Sequence, residues 1–220
     1  MYRLCREVRF NLDADPQAGW SVTGDNSFGG KPPALGTPAA LRHYLALRAT
    51  VTGEILPDYG YLRNIKDIDV VLRDECLPAI ADAIRTGSFH GGGGLLCQLF
   101  AGMKDRFPGN PVLEMELVLS PQCSIAVNAN DPAMVKLTQT FEFAAGHRLH
   151  NPALSDEENR RMFGKCNNPH GHGHNYVVAV TVAGQPDANG VVMDLAELER
   201  IVDATVVDDF DHKNLNVEVP

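Results

Sequence analysis

The sequence has 220 residues, of which 44% are hydrophobic, and it carries a formal net charge of −9 at pH 7. This length fits one large domain or two small ones, and the apolar content suffices for a core without disulfide bonds. An acidic surface repels phosphate backbones, which argues against nucleic acid as a partner, and no apolar run is long enough for a transmembrane helix. We therefore predict a globular protein with no nucleic-acid or membrane partner. A small anionic substrate stays open, because a local pocket can oppose the global charge.

The cysteines indicate a reducing compartment. There are five of them, Cys5, Cys76, Cys97, Cys123 and Cys166, and no two form a CxxC pair. An odd number at wide spacings is typical of a reduced protein rather than a disulfide scaffold. The N-terminal residues alternate charged and apolar side chains without the apolar stretch of a signal peptide. We expect a cytoplasmic location.

The first 130 residues are predicted to form strand, strand, helix, helix, strand, strand. Apolar alternation predicts strands at 1–12 and 44–53, and helical spacing predicts helices at 64–85 and 95–107. A strand pair is predicted at 111–119 and 124–127. The run Gly91–Gly94 is not followed by the Lys-Ser/Thr pair of a phosphate-binding loop, so we interpret it as a flexible connector.

The second part of the chain begins with the same elements. Strands are predicted at 134–145 and 175–184, and a helix at 194–207. The sequence SDEE at Ser155–Glu158 is a capping box, which predicts a short helix between the two strands. Asn167–Pro169 predicts a turn just before the second strand.

These parallels reflect an internal repeat of roughly 130 residues. MYRLCREVRF at the N-terminus aligns with MVKLTQTFEF from Met134, and LRHYLALRATVTG with HGHNYVVAVTVAG. In the following helices, Ile65, Ile68 and Leu72 align with Leu195, Leu198 and Val202. We predict a duplication with one unit at 1–130 and a second at 131–220.

A metal site is predicted at the strand ends of the second unit. His172 and His174 are two residues apart at the entry to a strand and so point to the same face. His147 ends the preceding strand and would meet them if the two strands pair antiparallel. Three imidazoles around zinc leave the fourth position open, as in catalytic zinc sites. A flexible chelating tract that includes His170 is the alternative, but the predicted turn places His170 outside the ligand set.

Three further residues have side chains suited to proton transfer. Cys166 lies beside Lys165 and six residues before His172, where a metal ion and a lysine would favour a thiolate base. The alternative is an inert, buried cysteine. Asp211 and His212 are adjacent, and in a turn the carboxylate can orient the imidazole. A solvated loop pair is the alternative there.

Three long motifs together resemble one enzyme family. FEFAAGHRLHNPALSDEENRRMFGKCNNPHGHGHNY, GVVMDLAELERIVD and DFDHKNLN are similar to the 6-pyruvoyl-tetrahydropterin synthases and the related 6-carboxytetrahydropterin synthases. The resemblance covers residues 134–220. It implies zinc on His147, His172 and His174, proton abstraction by Cys166, and a proton relay through Asp211 and His212. It also implies an α+β tunnelling fold, in which paired antiparallel strands carry two helices on one side and homo-oligomers close a barrel.

The activity implied by this resemblance is a lyase reaction on dihydroneopterin triphosphate. In the pyruvoyl branch, a thiolate removes a proton and triphosphate is eliminated. The carboxy branch, which serves the queuosine-precursor pathway, instead cleaves a carbon–carbon bond with the same metal and base. A pterin-binding protein without catalytic activity is the alternative from another class.

Two departures from the family pattern accompany the resemblance. By the repeat, the positions of His147, Cys166 and His172 fall on or near Ala14, Leu35 and Leu41, so the first unit is expected to bind no metal. The repeat also extends the second unit to about residue 265, roughly 45 residues beyond Pro220. By the resemblance, those residues would include a glutamate that binds the pterin ring.

Overall fold

The computed structural model describes residues 1–12 and 43–219, and the repeat positions Ala14, Leu35 and Leu41 lie outside them. The six strands are β1 (Tyr2–Leu12), β2 (His43–Gly53), β3 (Val112–Ser120), β4 (Cys123–Asn128), β5 (Asp131–His147) and β6 (His172–Gly184). The helices are α1 (Ile65–Val71), α2 (Leu77–Arg85), α3 (Gly93–Met103), α4 (Asp156–Phe163), α5 (Leu195–Val202) and α6 (Asp208–Phe210). One antiparallel sheet has the order β1-β2-β3-β4-β5-β6, which confirms the predicted α+β class.

The chain divides into two compact units. Unit 1 comprises Met1–Gln139 and Thr181–Val192, and unit 2 comprises Thr140–Val180 and Met193–Pro220. Strands β5 and β6 therefore each run from one unit into the other. The repeat predicts a different kind of boundary, at residue 130, which would mark an ancestral duplication. That boundary stays a prediction.

Unit 1 has a hydrophobic core between its sheet and its helices. Alternate residues of the strands, such as Val8, Leu47 and Met115, are completely buried, as the period-2 pattern predicts. Helix α3 contacts β3 and β4, and α2 buries Leu77 and Ile80. The predicted order of two strands, two helical segments and two strands is confirmed in this unit.

The glycine run packs closely against another loop of unit 1, contrary to the expected flexible connector. The Gly91 and Gly93 N–H groups donate hydrogen bonds of 3.0 Å to the carbonyls of Asn189 and Gly190. A Cβ atom on Gly91 would lie 2.6 Å from the Gly190 carbonyl oxygen, and one on Gly93 would lie 2.7 Å from it. The glycines are thus explained by close backbone approach, which any side chain would obstruct.

The helices that follow β1–β2 and β5–β6 are alike at the positions that the predicted repeat aligns. Helix α1 continues into a π-helical turn at Leu72–Cys76, and α5 into one at Asp203–Val207. Asn64 and Asp194 cap these helices by accepting from the backbone N–H two residues on. Aligned residues are similarly exposed: Ile65 and Leu195 at 44% and 47%, Ile68 and Leu198 at 0% and 2%, Leu72 and Val202 at 0% and 3%. The aligned sequences therefore form the same local structure.

Unit 2 contains the end of β5, the beginning of β6 and helices α4 to α6. Helix α4 begins with the predicted capping box, in which Ser155 accepts from the Glu158 N–H and Glu158 accepts from the Ser155 N–H. Buried Asn159 donates to the carbonyls of Asn151 and Leu154 and orders the loop before the helix. Among the described residues, no helix has the length and apolar character needed to cross a membrane.

Candidate metal centre

Two strand ends bring the candidate ligands together. His147 is the last residue of β5 and His172 the first of β6. Gly171, with a φ of 74°, turns the chain into β6, and a Cβ there would lie 3.0 Å from the His147 carbonyl oxygen. A residue with a side chain would be strained in this conformation and would crowd the strand end. The turn before His172 therefore requires glycine. This turn places His172 beside His147.

The three imidazoles form one cluster. Nε2 of His147 and Nε2 of His172 are 3.1 Å apart, and one ring nitrogen from each histidine of the triad lies within 4.8 Å of the others. His174 stands edge-on to both rings. Burial, with smaller effects from the His147 and His174 rings, lowers the pKa of His172, which favours the neutral, ligand-competent form. His170 lies in the preceding turn and is outside this cluster.

The donor set fits a metal ion. The converging nitrogens are Nε2 of His147 and Nε2 of His172, whereas Nδ1 of His172 lies on the other side of its ring and is buried without a hydrogen-bond partner. Two ring nitrogens 3.1 Å apart crowd each other unless they share a proton or an ion. Three imidazoles that converge in this way are a ligand set typical of zinc.

Cys166 lies in a short 3-10 turn beside the end of β5. The turn spans Gly164–Asn167, and the Cys166 carbonyl accepts a 2.9 Å hydrogen bond from the N–H of Leu149, two residues after His147. The cysteine is partly exposed, in contrast to buried Cys76 and Cys123. It is therefore accessible near the strand end that carries His147.

Asp211 and His212 are bonded to each other in a turn. Oδ2 of Asp211 lies 2.7 Å from Nδ1 of His212, and Oδ1 accepts a 2.9 Å bond from the Ala144 N–H. The hydrogen bond from the Ala144 N–H lowers the pKa of Asp211, and the bond with the His212 ring lowers it further, so the carboxylate stays ionised. His212 has a φ of 56°, and its N–H donates to the Ala144 carbonyl. The carboxylate thus orients the imidazole, although these bonds run to β5 and not to the three histidines.

The structure adds a cavity that the motifs did not predict. It has a volume of about 830 Å³ and opens beside His172. Its lining residues are Arg148, Asp156, Arg160, Gly164, Lys165, Asn167, Asn168, Pro169 and His172. Buried Asn167 accepts from Arg148 Nε and lies 3.1 Å from His150 Nδ1. Residues 148–165 hold four basic and three acidic side chains, so their composition alone did not indicate the cavity.

Comparison with known proteins identifies relatives of this part of the chain. Residues 136–220 match the family model of 6-pyruvoyl tetrahydropterin synthase, which confirms the family resemblance for these residues. Over 86 residues the chain is 51% identical to the 6-pyruvoyl tetrahydrobiopterin synthase of Homo sapiens, covering 39% of this chain and 59% of that protein. It is 49% identical over 51 residues to a putative 6-carboxy-5,6,7,8-tetrahydropterin synthase of Archaeoglobus fulgidus, covering 22% and 44%.

A solved structure is also similar in sequence. The 6-pyruvoyl tetrahydropterin synthase of Caenorhabditis elegans is 47% identical, with coverage of 39% of this chain and 61% of that one, and a TM-score of 0.35. The chain thus spans about three fifths of the length of the first curated relatives that it matches. All six candidate site residues lie within the matched segment.

Proposed function

We propose that this chain, whose residues 136–220 match the tetrahydropterin synthase family, is a zinc-dependent lyase that acts on dihydroneopterin triphosphate. The observation that carries the proposal is the convergence of His147, His172 and His174, with ring nitrogens within 4.8 Å, inside the matched segment. Cys166 and the Asp211–His212 pair lie in the same segment.

The three histidines would hold the ion. A bound Zn²⁺ would supply Lewis-acid polarisation of a substrate hydroxyl, which makes the attached C–H more acidic. The pKa of His172 is lowered, chiefly by burial, so this ring stays neutral and available as a ligand at lower pH than an exposed histidine.

Cys166 would act as the general base. Its thiolate takes a proton from a hydroxyl-bearing carbon of the substrate side chain, and that electron pair forms a C=C bond. The C–O bond to triphosphate breaks, and triphosphate leaves with the bonding electrons. The enol then becomes a ketone by proton return. The second ketone forms by proton transfer from the side chain to the ring, which becomes the tetrahydropterin, so no external oxidant is needed.

Asp211 and His212 would move protons to and from solvent. The His212 side chain is 83% exposed, and its Nδ1 is bonded to the ionised Asp211 carboxylate. This bond fixes which ring nitrogen faces the carboxylate and leaves Nε2 to exchange protons. The arrangement suits a relay residue better than a buried base.

The proposal includes assembly into a homo-oligomer in the cytoplasm. Within the described residues, β1 and β6 are the edges of the sheet. Open edges present unpaired backbone groups that favour pairing with another strand. Light scattering at micromolar concentration tests this expectation, and a stable monomer would contradict it.

A carbon–carbon lyase of the carboxy type is the second candidate. The similarity to the putative 6-carboxy-5,6,7,8-tetrahydropterin synthase of Archaeoglobus fulgidus supports it, although that match covers a shorter segment than the pyruvoyl relatives do. Both reactions would use the same three histidines and Cys166. The mass of the product distinguishes them.

The test is turnover of dihydroneopterin triphosphate by metal-loaded protein, with product analysis by mass spectrometry. Release of triphosphate with a 6-pyruvoyl product is expected. A 6-carboxy product with acetaldehyde would support the second candidate. No turnover, with pterin bound intact, would overturn the proposal in favour of a pterin-binding protein without catalytic activity.

A further inference from the structure

The cavity beside His172 is lined by cations, although the chain as a whole is acidic. Arg148, Arg160 and Lys165 contribute three positive charges, and Asp156 contributes one negative charge. The net charge of the chain is −9, so this cavity opposes the global charge. A local concentration of cations in a concave site attracts anions.

These cations have no carboxylate partner in the part of the chain that the structure describes. Arg148 donates from Nε to the carbonyl and side-chain oxygens of Asn167, at 3.2 and 3.1 Å. Arg160 donates from Nε to the Asp156 backbone carbonyl and not to its carboxylate. Several other arginines are paired with carboxylates, as Arg6 is with Asp69.

The bonds to Asn167 position Arg148 without neutralising it. Asn167 is 6% exposed, so its two acceptor oxygens are held by packing. With Nε bound to them, the terminal NH₂ groups of Arg148 remain available. A guanidinium held in this way can bind phosphate oxygens with two parallel hydrogen bonds.

We infer that Arg148, Arg160 and Lys165 form a polyphosphate subsite that binds the triphosphate group of the substrate. This inference rests on the proposed function. Because His172 belongs to both the metal centre and the cavity wall, a pterin side chain at the metal would place its phosphate end at these cations. There they stabilise the charge that develops on triphosphate as the C–O bond breaks. They also select the phosphorylated pterin over the dephosphorylated one.

Direct binding of inorganic triphosphate tests the subsite without requiring turnover. Calorimetry compares the wild-type chain with Arg160→Gln and Lys165→Gln, each of which is expected to bind about tenfold more weakly. Arg161→Gln is the matched control, because Arg161 is the next residue of α4 and is exposed but does not line the cavity. It is expected to change affinity less than about twofold.

Because triphosphate also chelates metal ions, the same comparison is repeated in a variant that lacks one proposed metal ligand. His174→Ala removes a proposed ligand that does not line the cavity, so triphosphate should still bind, and Lys165→Gln should still weaken it. Equal losses of triphosphate affinity in Arg160→Gln and Arg161→Gln would show that only the overall charge of the protein matters, and would overturn the inference. Unchanged affinity in Arg160→Gln and Lys165→Gln would overturn it as well.

Kinetics separate this inference from the proposed function. If the chain turns over dihydroneopterin triphosphate, inorganic triphosphate should inhibit competitively, and Arg160→Gln should lower kcat/KM about tenfold. If no turnover occurs but the two variants still lose triphosphate affinity, the subsite stands and the proposed reaction fails. If turnover occurs but Arg160→Gln and Arg161→Gln have the same kcat/KM, the proposed reaction stands and the subsite fails.

Discussion

Unit 1 and unit 2 are ordered by different interactions. Within the described residues, the buried hydrophobic side chains of unit 2 are Ala145, Leu198 and Val202, whereas all the others belong to unit 1. Unit 2 also buries Asn159 and Asn167, whose amides bond to the Asn151 carbonyl and to Arg148 Nε, close in the chain to His147. A hydrophobic core stabilises unit 1, and a polar network organises the candidate site in unit 2.

The two units also differ where the repeat aligns them. By the repeat, Asp211 and His212 fall near Ala81 and Asp82. These two residues lie inside helix α2, where Ala81 is buried and Asp82 forms an ion pair with Arg85. In unit 2 the chain leaves the helix and turns back to β5, so the same positions form an oriented carboxylate–imidazole pair. The helices that the repeat aligns are thus similar, whereas the carboxylate–imidazole pair depends on the turn that follows one of them.

The largest expected effect is that of His172→Ala. The variant removes a ligand from the middle of the triad, so bound zinc and turnover should both fall to background while the far-ultraviolet circular dichroism is unchanged. His170→Ala, two residues away in the turn, is the control and should retain both. Full zinc content in His172→Ala by elemental analysis would contradict the ligand set.

Cys166→Ala should keep the metal but lower kcat by about two to four orders of magnitude, the usual loss for a general base. Cys97→Ala in unit 1 is the control and should leave kcat unchanged. Burial raises the pKa of the Cys97 thiol, so it stays protonated at neutral pH. Steady-state kinetics on the two variants would show whether thiolate chemistry is confined to unit 2, and an unchanged rate in Cys166→Ala would identify an inert cysteine.

Gly91→Ala should destabilise unit 1 by about 2 kcal/mol, because its Cβ would collide with the Gly190 carbonyl and the backbone must shift. Gly94→Ala is the matched control: its Cβ meets nothing closer than 3.9 Å, and alanine favours the helix by up to about 1 kcal/mol. Chemical denaturation measures both. Similar stability of the two variants would support a flexible connector.

His212→Gln should lower kcat about tenfold, since solvent can replace an exposed relay residue in part. Asp82→Asn, at the aligned position of unit 1, should leave kcat unchanged and cost less than about 1 kcal/mol, the usual range for an exposed ion pair. A comparable loss of activity in both variants would show that the effect of His212 is structural.

The smallest expected effect concerns pH and Asp211. Because the Ala144 N–H lowers the pKa of Asp211 in the folded protein, its stabilising contribution is present above the ordinary carboxyl pKa and is lost as pH falls through the lowered value. Wild type should therefore exceed Asp211→Asn in stability at neutral pH, and the difference should shrink in acid. Urea denaturation across this range measures it, and a constant difference would contradict the prediction.

Local patterns in the sequence predicted much of the fold and of the site. Apolar periodicity predicted the strands and helices, because side-chain burial follows the backbone repeat of each element. The spacing of His172 and His174 predicted one face of a strand, and the position of His147 predicted the third ligand candidate; the structure brings all three together. Each of these inferences depends only on residues within one or two neighbouring strands or helices.

Contacts between distant parts of the chain were decided only by the tertiary structure. The packing of Gly91 against Gly190, the bond from Asp211 to Ala144, and the meeting of Arg148 with Lys165 in one cavity join residues that no local pattern relates. Composition even suggested a flexible glycine connector, because glycine permits both mobility and close packing and its meaning depends on what approaches it. The sequence by itself thus determined the elements and the ligand candidates, and the folded chain decided which backbones touch and which cations share a cavity.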